Sequence, residues 1–149
     1  MADLSVTITE SVTLNNSVRG STNELTVSGI IDTFERVVTC PHSNTTTVAT
    51  FDDNVFDSVG AIDAQGVKYV RITNLSSEYD IELAVVGAAT LYQVFVPAGH
   101  SHILCRTDDA MLAEADTSPS FGTMADIASI QARPTASSDV SVEVFAASA

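Results

Sequence analysis

The 149-residue chain has no tryptophan, two cysteines and only six basic residues. Each shortage excludes something. Cys40 and Cys105 cannot supply the disulfide framework of a small secreted domain. Each closes an apolar run, and buried free cysteine behaves as a small hydrophobe, so the reading is two free thiols. The bases (Arg19, Arg36, Lys68, Arg71, Arg106, Arg133) are scattered singly among 19 acids, for a net charge of −13. Nucleic-acid affinity needs clustered Lys and Arg to displace counterions from phosphate. DNA, RNA and anionic membranes are therefore excluded as partners, and the acidity reads chiefly as a source of solubility. No apolar run approaches the ~20 residues of a membrane span. The opening Met-Ala-Asp-Leu has neither a basic nor an apolar leader region, which predicts no secretory signal. Asn15-Asn16-Ser17, Asn44-Thr45-Thr46 and Asn74-Leu75-Ser76 then read as chance glycosylation matches. Charged residues make up 17%, below the usual share of about 25%; Ser, Thr and Asn supply the missing polarity.

What the chain does have is alternation. From Leu4 to Leu14 the even positions are Leu4, Val6, Ile8, Glu10, Val12 and Leu14, and the odd ones are all Ser or Thr. Successive strand side chains point to opposite faces, so this segment has one oily face and one hydroxyl face. Similar runs follow at Leu25–Ile31, Phe34–Cys40, Thr45–Phe51, Val67–Asn74, Ile81–Val85, Thr90–Val96, Ser101–Cys105 and Val140–Phe145. Turn signals separate them: the Asn/Ser/Gly-rich stretch from Asn15 to Asn23, then Pro41-His42-Ser43-Asn44, Asn74 to Asp80, Gly87-Ala88-Ala89 and Pro97-Ala98-Gly99-His100. About nine or ten short strands at this spacing predict an all-β antiparallel sandwich with little helix. The chain is read as a single domain spanning residues 1–149, long enough to bury a core without metal or disulfides. Asp108–Ala115 has the composition of one or two helical turns. Met124–Ala132 is ambiguous, because Ile127 and Ile130 fit a helical spacing. Asp52–Gly66 reads as a surface loop with a short strand at Val55-Phe56. The hydroxyl-rich outer faces block edge pairing only weakly, which favours symmetric self-association.

No chemistry-bearing motif rises above this pattern. His100 and His102 are two apart with Cys105 after them, and Cys40-Pro41-His42 could add ligands, but zinc sites of this kind carry close Cys pairs and none is present. Solvated histidines are the better reading. Asp52, Asp53, Asn54 and Asp57 supply oxygens without the spacing of a calcium loop, and read as a solvated acidic loop. Asp108-Asp109 and Asp52-Asp53 are adjacent, so on a strand they would point apart. No Gly-x-Ser-x-Gly or His-Glu-x-x-His occurs. The expectation is a non-enzymatic protein without catalytic residues, metal or cofactor. Glu10 interrupts an apolar face, and burying it unpaired would be costly. Either that face is open there, as at a sheet edge, or Glu10 meets Arg36 or Arg71.

The segments ITESVTLNNSVRGSTNELTVSGI, FERVVTCP, VKYVRITNLSSEYDIELAV, VPAGHSHIL and IASIQARPTASSDVSVEVFAA together resemble small virion structural proteins of tailed bacteriophages of the marine and cyanobacterial type. The likeness covers most of the chain. Its most specific parts are YVRITNLSS, the Pro-Ala-Gly turn before a strand, and SDVSVEVFAA; the acidic loop and the two cysteines fall outside it. The resemblance implies a jelly-roll-like sandwich that decorates and cements the outer surface of a capsid. Its implied partner is the major capsid protein of the same phage, and its implied oligomer is a homotrimer. A tail or head-fibre component, or a carbohydrate- or calcium-binding sandwich module, is the alternative. Under the capsid reading, the two cleanly alternating terminal segments are the expected subunit or capsid contacts: Leu4, Val6, Ile8, Glu10, Val12 and Leu14 at one end, and Val140, Val142 and Val144 at the other.

Overall fold

The structure is a computed structural model that describes residues 1–54, 59–113, 118 and 121–149. Thirteen strands occur among them: β1 (Ala2–Thr9), β2 (Val12–Leu14), β3 (Ser17–Arg19), β4 (Thr22–Ile30), β5 (Asp32–Cys40), β6 (Thr46–Asp52), β7 (Ile62–Asp63), β8 (Val67–Asn74), β9 (Ile81–Gly87), β10 (Leu91–Val96), β11 (Ser101–Leu104), β12 (Ile127–Pro134) and β13 (Val140–Ser148). No helix is found among the described residues. The expected all-β sandwich is present.

The body is two sheets. One runs β10-β9-β12-β6-β7, the other β11-β8-β13-β5. Their pairs are antiparallel except β6 with β7. Period-two alternation turns one face of each sheet inward. Val70 and Ile72 of β8 and Val142 and Val144 of β13 meet Ile81, Leu83 and Val85 of β9 and Ile130 of β12, all without solvent contact. The last strand, β13, lies between β8 and β5.

Two local devices hold the ends of the sandwich. At the turn from β10 to β11, His100 N–H donates to Pro97 C=O at 3.0 Å. Gly99 takes φ 73° there, the left-handed position that a type II turn requires. Beneath it lies Asn74, fully buried. Its Nδ2 donates to Tyr79 C=O (2.8 Å) and Val96 C=O (3.1 Å), and its Oδ1 accepts from Ser76 N–H (3.0 Å). One amide thus joins the end of β8, the turn after it and the end of β10.

Several expectations are corrected. The described residues of Asp108–Ala115 form a turn, with Asp109 at φ 43° and Met111 bridged to Ala125, not a helix. Glu114, Ala115 and the strand expected at Val55-Phe56 lie outside the described residues. Of Met124–Ala132, the part from Ile127 onward forms the start of β12, and Ala125 makes only the isolated bridge to Met111. The pairing of β12 shifts by one residue between Ile127 and Ser129. This bulge aims Ile127 and Ile130 at the same core despite a spacing of three, which is why the stretch imitates a helix. Both cysteines are free, but only Cys40 is buried; Cys105 is exposed.

Candidate protein-interaction surface

The largest departure from expectation is at the amino-terminal end. Leu4–Leu14 is not a sandwich strand, and Asn15 to Asn23 is not a loop. Together they form a two-stranded ribbon outside both sheets, β1 pairing with β4 and β2 with β3. The turn is only Asn15-Asn16, at φ 50° and 60°. These are the left-handed values of a type I′ hairpin turn, which asparagine tolerates. Thr9 faces Thr22 and Val12 faces Arg19, so equal numbers of residues lie between them on each strand and the register is unbroken. Glu10 N–H still donates to Ser21 C=O across the gap, at 2.9 Å. Gly20 sits there at φ 122°, and a Cβ on it would stand 2.0 Å from the Glu10 carbonyl oxygen. Only glycine allows the strands to approach so closely. From Leu4 to the turn the ribbon is roughly 34 Å long at ~3.4 Å per residue.

Because the register holds, the even residues from Leu4 to Leu14 share one face with Val27, Leu25 and Arg19 of the returning strand. The base of this face is partly covered. Leu4, Val6 and Val27 are half-buried, while Ser5, Thr7 and Thr26 on the hydroxyl face are exposed. A groove of about 380 Å³ separates β1 from the outer face of the four-stranded sheet, lined there by Tyr69, Arg71, Ile103 and Phe145. Tyr69 and Phe145 meet edge to face at 6.1 Å. Arg71 donates to Glu143 at 2.6 Å and also to Thr73 Oγ1, which contacts Ser101 Oγ at 2.8 Å. The foot of the ribbon is tied down by Ile31 N–H to Ser148 C=O, 2.9 Å.

Beyond that base the ribbon is bare. Ile8 is 44% exposed, Val12 57% and Leu14 58%. Glu10 is exposed as well, which answers the question its position raised: the face is open. Arg71 is engaged by Glu143, and Arg36 lies 5.9 Å from the ring centre of Phe34; neither reaches Glu10. The other expected contact segment is corrected. Val140, Val142 and Val144 are enclosed in the core, at 2%, 0% and 0% exposure, and have no apolar surface to offer a partner. Leu25 and Val18, exposed at 46% and 72%, belong to the ribbon's surface and were not among the expected contacts. Leu25 was hidden in a run that reads as an ordinary core strand, Val18 in a segment that reads as a loop.

Comparison with protein-family models, curated proteins and solved structures finds no match for this chain. The functional reading therefore rests on the chain's own residues and on the pattern likeness described above.

The residues considered for metal do not converge. His42 Nδ1 lies 2.9 Å from Asp139, His100 Nδ1 contacts the Ala98 carbonyl oxygen at 2.9 Å, and His102 Nε2 meets Tyr92 Oη at 3.2 Å. Burial lowers the His102 pKa and raises that of Tyr92. The hydrogen bonds from His42 hold the Asp139 carboxyl below its ordinary value. An open cleft of about 490 Å³ is bordered by Asp52, Asp53, Asp109 and Asp126. Three of these acids are engaged: Asp52 accepts from Asn54 N–H at 2.9 Å, Asp126 from Asp109 N–H at 2.6 Å, and the Asp109 carboxylate lies 3.9 Å from Arg106. Among the described residues no three His, Cys, Asp or Glu side chains are placed to share a metal ion; Asp57 lies outside them.

Proposed function

We propose that this protein is a non-enzymatic structural component of a virus particle, decorating and cementing the outside of a tailed-phage capsid through contacts with its major capsid protein. The observation that carries the reading is the ribbon. The sandwich closes its own core, yet the chain extends a further strand pair with Ile8, Val12, Leu14, Val18 and Leu25 open to solvent. An isolated two-stranded hairpin is at best marginally stable in water, and exposed apolar surface of this kind marks contact with other macromolecules. A net charge of −13 suits an outward position better than one against packaged DNA.

The finer fold assignment belongs to the same proposal. Leaving out the two-residue β7, the eight body strands numbered in chain order read 6-3-8-1 in one sheet and 5-4-7-2 in the other. First and last strands are neighbours, and the chain alternates between layers in nested fashion. That order supports a jelly roll, an architecture of eight strands in two sheets common in capsid proteins.

Co-sedimentation with empty expanded heads tests the function. Saturable binding of the purified chain to heads is the expected result. Absence of head binding, together with immunogold label at the tail tip, would replace this reading with that of a fibre component.

A further inference from the structure

The distal ribbon carries the makings of a contact with itself. Between Ser11 and Asn23 the sole charged residue is Arg19. It shares the open face with Val12, its cross-strand partner, and with Glu10, one same-face step nearer the body. Neither Glu10 nor Arg19 takes part in an ion pair among the described residues. The face therefore presents one acid, one base and the apolar side chains of Ile8, Val12 and Leu14, with no charge neutralised inside the chain.

We propose that this face docks on the same face of a second copy of the chain. A two-fold contact brings one patch against itself, so the patch must be self-complementary. Because the body covers the base of the face, the two-fold axis runs across the ribbon midway between Glu10 and Val12, and the two distal halves overlap tip past tip, first strand over first strand. Glu10 of each copy then stands level with Arg19 of the other, one strand over, across a gap of roughly 10 Å that two long side chains span. The pairing occurs twice, once in each direction. Ile8 of each copy closes on Leu14 of the other, on either side of these charges, with Val12 beside Arg19.

Charge selects a second copy over an unrelated partner because acid and base are matched one for one on this face, whereas residues 31–149 hold 16 acids and 5 bases. The size of the face sets the strength. The open stretch from Ile8 to Leu14, roughly 20 by 10 Å, buries about 400 Å² over both copies, well short of the ~1,200 Å² of a stable interface. The dimer is weak and concentration-dependent, and serves to couple chains already gathered on one surface. To that extent the inference rests on the virion reading.

The test is sedimentation equilibrium of the full chain over a concentration series. Glu10→Arg and Arg19→Glu should each weaken association roughly tenfold, and the double variant should restore it, since the contact would then carry the same pairs reversed. A second construction replaces residues 11–20 with Asn-Gly. Glu10 and Ser21 then flank a new two-residue turn, the register is kept, and association should be lost while the sandwich melts as before. A chain that stays monomeric up to its solubility limit overturns the proposal. So does an oligomer that survives the shortened ribbon, or a double variant as weak as either single one. The two readings separate cleanly. Head binding by a strictly monomeric chain sinks the self-contact and leaves the virion role standing. Association through the ribbon without head binding does the reverse.

Discussion

Asn74 shows how much one side chain can hold. Its amide satisfies two carbonyls and one N–H from two other segments in a site closed to water. Removing it leaves buried groups unpaired, at about 1–3 kcal/mol for each group that water cannot reach. Asn74→Ala is therefore expected to lower unfolding free energy by at least 2 kcal/mol in urea titration. Asn74→Asp should be worse, because a carboxylate would face two carbonyl oxygens. His102 makes a prediction in pH. Burial depresses its pKa below the ordinary 6.5, so the unfolded chain binds that proton more tightly than the folded one. Its contribution to stability is whole above the ordinary value and is lost as pH falls through the lower, folded value. Melting temperature should begin to drop as pH falls below about 6.5, and His102→Asn should flatten that part of the profile. The cysteines differ in reach. Cys40 is enclosed and burial raises its thiol pKa, whereas Cys105 is exposed. A thiol reagent should label one site on the native protein and two in denaturant.

At the scale of elements, legibility followed burial. Val67–Asn74, Ile81–Gly87 and Leu91–Val96 lie where their alternation puts them, because a strand with one face in a core has little freedom to slip. The ribbon was misread for the complementary reason. Leu4–Leu14 alternates as cleanly as any core strand, yet nothing in a two-residue period says whether the apolar face meets a core or solvent. The returning strand lacks apolar periodicity near the tip, where Ser17, Arg19, Ser21 and Asn23 share the open face, so it reads as a loop. The Asn15-Asn16 turn signal was present in the sequence, but it was absorbed into the surrounding polar stretch. The expected contact residues divide the same way. The alternation of Leu4 to Leu14 lies on the ribbon, whereas Val140, Val142 and Val144 have an identical pattern and lie in the core. The close approach at Gly20 makes an element-scale prediction. Gly20→Val puts a Cβ onto the Glu10 carbonyl and should raise amide exchange in residues 2–30. The melting temperature of the sandwich should move little, because β1–β4 belong to neither of its sheets.

At the scale of the whole molecule, the sandwich and the ribbon divide the work. One holds its shape by closing a core, and the other reaches away from it. This division lets association be weakened by substitutions that leave folding intact. The placement of β13 has a further consequence. The centre of the four-stranded sheet is supplied by the last nine-residue strand of the chain, with β5 and β8 on either side of it. While the protein is being synthesised, both neighbours wait as open edges, and the layer cannot zip shut until β13 has left the ribosomal tunnel. A nonsense codon before Val140 would leave these two edges bare, and the product would be sticky and unfinished.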